Sequence, residues 1–262
     1  MNVKIMVAAH KKYVMPSDMG LYLPIQVGAA RTDQRFGFQT DNSGINISNK
    51  NANYNELTAQ YWAWKNLKDT DAVGLFHYRR YLTSRVLPTH SLNKALTKAE
   101  VLQALTEAPI ILPKKRNYII ETNENHYRHA HPVEPLKVLS QIIAAEYGSY
   151  DSAFHNVLQR HSAHMFNMFI MKSNLFDEYS SWLFSVLGRV EESIDISQYS
   201  VFEQRVFGFL SELLLDTWIE TKKYRYKEFP ILMVEREHLV KKGLEMIKRK
   251  ALGDKGEYFK NS

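Results

Sequence analysis

The strongest constraint on the fold is a pair of short apolar runs with one helical stretch between them. The runs are VKIMVAAH (3–10) and DAVGLFHY (71–78). Both are rich in apolar and β-branched residues and are bounded by polar ones, which is typical of buried parallel strands. A strand, a helix and a second strand in this order predict an α/β fold.

The helical stretch is NYNELTAQYWAWKNL (53–67), in which Leu57 and Tyr61 recur at helical spacing. We expect Asn53 to cap this helix, with Glu56 three residues later completing a capping box.

Further along the chain, hydrophobic periodicity predicts alternating helices and strands. These are a helix at 97–107, a strand at 108–113, an irregular polar segment at 114–131, a helix at 133–146, a strand at 164–172, and helices at 174–192 and 201–222. The sequence therefore predicts one domain, residues 1–235, built on a mostly parallel central sheet flanked by helices. A basic helical tail, 236–262, with eight Lys or Arg against four acidic residues, follows it.

Composition places the chain among globular proteins that bury a sizeable core, with 45% hydrophobic and 24% charged residues. The absence of cysteine excludes disulfides, thiolate metal sites and a cysteine nucleophile. We interpret the N-terminal run as a strand rather than a signal peptide, and no stretch approaches the length needed to span a bilayer. We therefore expect a cytoplasmic protein.

The net charge of +6 suits a nucleic acid, an anionic membrane surface or a phosphorylated substrate. No nucleic-acid recognition motif is present, so RNA binding through a basic, aromatic surface is the weaker alternative and we expect no nucleic-acid partner. The chain also lacks a Gly-x-Ser-x-Gly elbow, a Walker loop and a Gly-x-Gly-x-x-Gly fingerprint, which disfavours serine hydrolases, P-loop NTPases and Rossmann dehydrogenases.

Charge and aromatic residues gather where the two predicted strands end. His10 follows the first strand, and His77, Tyr78, Arg79 and Arg80 end the second. Open α/β sheets bind ligands outside the carboxyl ends of their strands, and arginine holds phosphate bidentately. Adjacent residues of an extended segment point to opposite faces, so we expect one arginine to meet the ligand and the other to pair with a carboxylate. A surface arginine pair without function is the alternative.

The loop TDNSGINISNKNANYNE (40–56) can present backbone N–H groups and short polar side chains to a ribose or a phosphate. An ordinary polar loop is the alternative, since Asn, Gly and Ser are common in turns. The candidates in this loop are Asp41, Asn42, Asn46, Ser48 and Lys50.

Glu212 lies in the otherwise apolar helical sequence FGFLSELLL. A carboxyl group among apolar side chains has a raised pKa, which suits a general base. An ion pair with Arg205, Arg79 or Arg80 is the alternative. The chain also has ten histidines, but the pair His161 and His164 matches no compact metal-ligand motif, so we expect no metal site.

Four blocks of sequence together resemble a bacterial family of capsular and exopolysaccharide biosynthesis proteins, which are glycosyltransferases similar to galactosyl- and galactofuranosyltransferases of O-antigen and capsule assembly. The blocks are NISNKNANYNELTAQYWAWKN, VGLFHYRRYL, NMFIMKSNLFDEYSSWLFSVL and RVFGFLSELLLDTWI. The resemblance covers most of residues 1–235 and implies a GT-A-like fold that binds a nucleotide-sugar across the strand ends.

The resemblance also implies roles for individual residues. Ala8, Ala9 and His10 would line the uracil and ribose pocket, and Asp41, Asn42, Asn46 and Ser48 would lie on the nucleotide side, near Lys50. Asn167 and Met168 would face the sugars, and Tyr127 and His131 match a Tyr-x-x-x-His spacing in the acceptor region. Glu212 would be the general base of an inverting transfer, Arg205 would orient it or meet phosphate, and Asp41 is the reserve candidate.

Enzymes of this type usually carry Asp-x-Asp, which holds Mn²⁺ or Mg²⁺, where this chain has His77-Tyr78-Arg79-Arg80. The departure leaves metal dependence open and suggests that arginine supplies the charge that stabilises the leaving UDP. The expected partners are a UDP-hexose and a lipid-linked glycan, with peripheral contact to the inner membrane through the basic tail. A non-catalytic nucleotide- or glycan-binding module is the alternative.

Overall fold

The computed structural model describes residues 1–85 and 90–234. The strands are β1 (Val3–Ala9), β2 (Tyr22–Gln26), β3 (Gln39–Thr40), β4 (Ala72–His77), β5 (Arg80–Leu82), β6 (Ile110–Pro113), β7 (Arg116–Asn117), β8 (Ser162–Ala163), β9 (Phe169–Lys172), β10 (Tyr226–Phe229) and β11 (Ile231–Met233). The helices are α1 (Asn51–Tyr54), α2 (Leu57–Asn66), α3 (Lys98–Glu107), α4 (Asn123–Ala130), α5 (Glu134–Glu146), α6 (Gly148–Gln159), α7 (Ser173–Ser193) and α8 (Val206–Lys222). The predicted tail, 236–262, lies outside the described residues.

Nine of the described strands form a central sheet in the order β10-β6-β9-β4-β1-β2-β3, with β5 and β11 attached beside β4, and β7 and β8 pair antiparallel in a separate two-stranded sheet. Along the main path only β9 runs antiparallel to its two neighbours. β1 and β4 are parallel neighbours with Ala8 opposite His77. Their carboxyl ends therefore meet at one edge, and the predicted mostly parallel sheet flanked by helices is confirmed.

The two faces of the sheet carry two hydrophobic cores. On β1, Met6 and Ala8 contribute to a core shared with α2 and α5 to α8, while Ile5 and Val7 contribute to a second core shared with α3. This alternation follows from the period of two along a strand. Each large side chain that is fully buried contributes roughly 1.5–3 kcal/mol, so the two cores hold the strand ends, and the site built on them, in a rigid frame.

The helix expected at 97–107 is present as α3, and its start follows the sequence closely. Thr97 Oγ1 accepts a hydrogen bond from the Glu100 backbone N–H, and the Glu100 carboxylate accepts one from the Thr97 N–H. This reciprocal capping box satisfies two of the four N–H groups that a helix start leaves unpaired.

The capping box expected at Asn53 and Glu56 is wrong. Asn53 lies inside α1, and its Nδ2 donates to the Gln204 carbonyl. The chain then breaks at Asn55, whose φ of 50° is left-handed, and α2 begins at Leu57. The break lies against Gly208 of α8, where an added Cβ would come within 2.3 Å of Asn55 Nδ2. This close approach ends α1 and leaves the Glu56 side chain available to the site.

Other elements also differ from the sequence prediction, which did not include β2, β3, β5, β10 or β11. Residues 114–131 contain β7 and α4, and α6 was not predicted at all. The strand expected from residue 164 begins only at Phe169, because Phe166 and Asn167 both have left-handed backbones (φ 73° and 52°) that a strand cannot hold. The helix expected from 201 begins at Val206, after a short 3-10 turn at Glu203–Arg205.

Candidate active site

A cavity of about 620 Å³ opens at the carboxyl ends of β1 and β4, a volume within the usual range for small-molecule sites. Ten residues singled out in the sequence line it: Ala8, His10, His77, Tyr78, Arg79, Arg80, Tyr127, His131, Arg205 and Glu212. Residues that are far apart in the chain thus share one cavity, as the resemblance implied.

Arg79 and Arg80 both line the cavity, which corrects the expectation that only one of them would face the ligand. The segment is not extended: β4 ends at His77, the chain turns through Tyr78 and Arg79, and β5 begins at Arg80, which pairs with His77. The turn brings both guanidinium groups to the same side. Arg79 lies 5.2 Å from the Tyr78 ring centroid, and Arg80 lies 4.3 Å from that of Phe166.

A strained loop before β9 connects the two main parts of the site. The Phe166 backbone N–H donates to Glu212 Oε1 (3.0 Å), and the Phe166 carbonyl lies 2.5 Å from His77 Nε2. A carbonyl can only accept, so Nε2 carries the proton and Nδ1 of a neutral His77 presents a lone pair. Left-handed backbone at a non-glycine residue costs about 1–3 kcal/mol and is typical of functional sites.

Two carboxylates face the cavity. Burial is the main cause that raises the pKa of Glu212 to about 7, and the negative charge of Glu56 adds to it, although the hydrogen bond from Phe166 and the positive charge of Arg80 oppose the rise. Glu56 is held by Asn167, whose Nδ2 donates to Glu56 Oε1 (2.6 Å) and to the Gly208 carbonyl. Glu212 can therefore take up and release a proton near neutral pH.

The net charge of the cavity is positive although its histidines are neutral. Burial lowers the pKa of each of the four histidines that line the cavity, and it lowers that of His131 to about 4. These histidines are therefore neutral at pH 7. Among the described lining residues, four arginines stand against two carboxyl groups, of which Glu212 is partly protonated near pH 7, so the net charge of the cavity is at least +2. These residues are Arg79, Arg80, Arg116, Arg205, Glu56 and Glu212.

One end of the cavity is aromatic and carries polar atoms that the described residues leave unpartnered. His131 stacks on Phe209 (3.9 Å between ring centroids) and lies 4.9 Å from the Tyr127 ring. The Tyr127 hydroxyl and His131 Nδ1 are both buried and have no hydrogen-bond partner within the described chain. A buried polar atom without a partner costs about 1–3 kcal/mol, which a ligand hydroxyl would offset.

Asp41 does not line the cavity, although Asn51, Ala52, Asn55 and Glu56 at the end of the same loop do. Asp41 is fully buried, and its Oδ2 accepts from Gly28 N–H (2.8 Å) and Thr58 Oγ1 (2.6 Å). Its Oδ1 accepts from the Ala29 N–H and the Ser48 hydroxyl. These four donors occupy the acceptor positions of the carboxylate, so Asp41 holds the loop together and does not face the cavity as the reserve base would.

The other loop candidates are likewise committed to the protein itself. Asn46 Nδ2 donates to the Asn42 carbonyl, Ser48 Oγ accepts from the Ala30 N–H, and Lys50 Nζ pairs with Glu191 (2.7 Å). None of them lines the cavity. Ala9 and Met168 face the second core on the opposite side of the sheet, and Asn167 lies behind Glu56 as a positioning residue.

Sequence reasoning missed several lining residues: Val27, Asn51, Ala52, Asn55, Glu56, Arg116, Tyr118, Asn123, His126, Met165, Phe166, Val201, Gly208, Phe209 and Leu213. Glu56 was assigned to a helix cap, where Glu is ordinary. Arg116, Tyr118 and His126 lie in the polar segment 114–131, whose composition favoured a site loop without indicating which residues would face inward.

Among the described residues, no three His, Asp or Glu side chains are grouped so that they could hold a metal ion. His164 is fully engaged, with Nδ1 on the Asp216 carboxylate and Nε2 2.9 Å from Glu228. The turn at the end of β4, from His77 to Arg80, offers no carboxylate oxygen, so these four residues do not fit Mn²⁺ or Mg²⁺.

His164 also anchors the strained loop. Its backbone N–H donates to Asp216 Oδ2 (3.0 Å), one helical turn after Glu212 on α8. Burial would raise the pKa of Asp216, but the hydrogen bonds and charge of His164 outweigh burial and hold that pKa below its usual range. The contact fixes residues 164–167 against α8, so Phe166 and Glu212 keep their mutual position.

The fold is that of a glycosyltransferase. The chain superposes on a solved structure of WbbM, a bifunctional glycosyltransferase in its apo form, with a TM-score of 0.79 and 28% identity over 90% of this chain. The match spans 46% of the WbbM chain, so this chain corresponds to about half of that protein. The resemblance to a glycosyltransferase family inferred from the sequence is thereby confirmed.

Residues 4–223 match the family model described as a domain of unknown function, DUF4422, and the chain belongs to that family. No curated protein matches the sequence.

Proposed function

We propose that the chain is an inverting glycosyltransferase that moves a hexose, galactose or galactofuranose, from a UDP-sugar to a growing surface-polysaccharide acceptor. The observation that carries the proposal is the convergence of four arginines and a carboxyl group with a pKa of about 7 on one cavity at the strand ends. The likeness to WbbM supports it at the level of the reaction class.

In the proposed mechanism, the diphosphate lies against Arg79 and Arg80, with the nucleoside near Ala8 and His10. Guanidinium groups donate bidentately to phosphate oxygens and stabilise negative charge as it develops on the leaving UDP. The sequence resemblance implies that these two arginines stand where related enzymes carry the metal-binding motif Asp-x-Asp. They would therefore supply charge stabilisation from the chain itself.

The acceptor hydroxyl would be deprotonated by Glu212 while its oxygen forms a bond to the anomeric carbon of the hexose. The bond between that carbon and the UDP oxygen breaks on the opposite face, so the electron pair leaves with UDP and the configuration inverts. The pKa of Glu212 suits this transfer because a base works best when its pKa lies near the working pH. Tyr127 and His131 would bind the acceptor sugar, with Asn167 holding Glu56 from behind.

The acceptor in this proposal is a lipid-linked glycan at the cytoplasmic face of the inner membrane, with the basic tail as a peripheral contact. Within the described residues no helix is long and apolar enough to cross a membrane. The tail, 236–262, contributes to the proposal only through its sequence charge.

Calorimetric titration with UDP, in the presence of Mn²⁺ and separately of EDTA, tests the proposal. We expect micromolar binding that is equal in the two conditions. Binding that requires metal would overturn the role of the arginines, and absence of binding would overturn the donor class. Binding without hydrolysis or transfer of any UDP-hexose would favour a non-catalytic nucleotide-binding module.

A further inference from the structure

The most exposed large apolar residues of the described chain gather at the mouth of the cavity. Ile119, Ile120 and Val201 are 80%, 63% and 85% exposed. They are three of the four most exposed large apolar residues in the described part of the chain. Val201 itself lines the cavity, and the two isoleucines directly follow Tyr118, which also lines it. We call these three residues the rim patch.

The backbone holds Ile119 in this exposed place at a cost. Its φ of 62° is left-handed, which is an outlier for a β-branched residue and costs about 1–3 kcal/mol. The conformation is fixed by hydrogen bonds from Ile119 N–H to Asn117 Oδ1 (2.8 Å) and from Ile120 N–H to the Tyr118 carbonyl (2.7 Å). Strained backbone and exposed apolar side chains occur together where a surface binds a partner outside the chain.

The charges beside the rim patch indicate which partner. Lys114, Lys115 and Arg116 directly precede Tyr118, and Arg116 lies 5.2 Å from its ring. The nearest acid after the isoleucines, Glu121, has a side chain that is only 19% exposed and that contacts the His126 and His129 rings, so it faces the protein more than the solvent. Aliphatic side chains flanked by cations and a tyrosine are the features of a segment that enters the interface of an anionic bilayer.

We propose that the rim patch docks on an anionic lipid surface and turns the mouth of the cavity toward the membrane. Three separate aliphatic side chains are too few for a stable protein interface, which buries about 1,000 Å² or more. They suffice for reversible insertion beside basic residues. The proposal does not depend on the chemistry inside the cavity, because lipid binding is measured without substrate.

Single-cysteine labelling of the full chain tests this directly, because the native sequence has no cysteine. The variants Ile120→Cys and Val201→Cys would carry a polarity-sensitive fluorophore and be mixed with vesicles of phosphatidylcholine, with and without phosphatidylglycerol. We expect a blue shift at both positions with the anionic vesicles. The matched control is Ile45→Cys, which is 62% exposed but does not line the cavity, and its emission should not shift.

A second measurement uses unlabelled protein and vesicle sedimentation. Replacing all three rim residues by serine should weaken binding to anionic vesicles about tenfold, whereas Ile45→Ser should leave it unchanged. Sedimentation with no shift at positions 120 and 201 would mean that the tail alone binds lipid and would overturn the proposal. A shift that depends on protein concentration without vesicles would replace the lipid by a second copy of the chain.

Discussion

The loop around Asp41 and the cavity at the strand ends contain similar polar residues but use them in opposite ways. Around Asp41, four donors satisfy one buried carboxylate, and the remaining hydrogen bonds of Ser48 and Thr58 also go to groups of the protein itself. In the cavity, the Tyr127 hydroxyl and His131 Nδ1 are buried without partners in the described chain. Polar groups that are satisfied internally hold the fold, and polar groups left incomplete around a cavity indicate where a ligand binds.

The largest effect is expected from Glu212→Gln. The variant keeps an acceptor for the Phe166 N–H but cannot take a proton, so transfer should fall on the order of 10²–10⁴-fold while UDP affinity changes little. Steady-state kinetics and calorimetry check this, with Glu220→Gln, on the same helix and paired with Arg160, as the control. Near-normal turnover in Glu212→Gln would remove the base assignment.

The same variant has a pH signature in stability. Because the folded-state pKa of Glu212, about 7, lies above its ordinary 4.5, its ionisation disfavours the folded state as pH rises through this window. Glu212→Gln should therefore be more stable than the native chain at pH 8, by roughly 1–3 kcal/mol, and equally stable at pH 4. Denaturant unfolding at the two pH values measures the difference, and equal stability at both would contradict the raised pKa.

Asp41→Ala tests the other side of the comparison. It leaves four buried donors without an acceptor and should lower the free energy of unfolding by about 3–5 kcal/mol. UDP affinity of the folded fraction should not change. If this variant does not fold, Thr58→Val removes one of the four donors and should cost about 1–2 kcal/mol. A loss of UDP affinity with stability intact would place Asp41 in the site and break the comparison.

Arg79→Ala and Arg80→Ala should each weaken UDP binding about tenfold, because each removes a charged donor from the proposed diphosphate site. Lys50→Ala is the matched control, since Lys50 pairs with Glu191 and does not line the cavity. Calorimetry measures all three. Equal, small losses in the three variants would show that the arginines do not bind phosphate.

The smallest effect on stability is expected from Tyr127→Phe. Its hydroxyl has no partner to lose among residues 1–85 and 90–234, so the unfolding free energy should change by less than about 0.5 kcal/mol, while the KM for the acceptor should rise. The control is Tyr22→Phe, whose buried hydroxyl donates to the Leu96 carbonyl (2.7 Å) and whose loss should cost about 1 kcal/mol. A loss of stability in Tyr127→Phe as large as in Tyr22→Phe would mean that the hydroxyl is satisfied in solution.

Local pattern was sufficient where one residue's neighbours in sequence decide its structure. The apolar runs of β1 and β4, the helix α3 and the position of His10 and the two arginines at strand ends all follow from spacing and residue type. These features depend on periods of two and 3.6 and on hydrogen bonds within a few residues, which the sequence displays directly.

The local sequence pattern gave a wrong prediction where contacts with a distant segment decided the structure. The sequence positions of Asn53 and Glu56 fit a capping box, but Gly208 of α8 approaches the chain at Asn55 and the helix breaks there. The Glu56 side chain lines the cavity instead. The polar loop at 40–56 had the composition of a nucleotide site, yet Asp41 and Ser48 bond to each other and to groups of the protein outside the loop. The loop reaches the cavity only through Asn51, Ala52, Asn55 and Glu56. Composition states that donors and acceptors are present but not which of them are paired.

The sequence by itself therefore determined the α/β class, the strand ends that carry positive charge, and a carboxylate in an apolar helix. Only the tertiary structure decided that both arginines face one cavity, that Glu56 joins Glu212 there, and that Asp41 is structural. The physical reason is that each of these outcomes depends on contacts between segments separated by tens of residues or more. Burial, charge and hydrogen-bond partners at such contacts are set by packing rather than by local spacing.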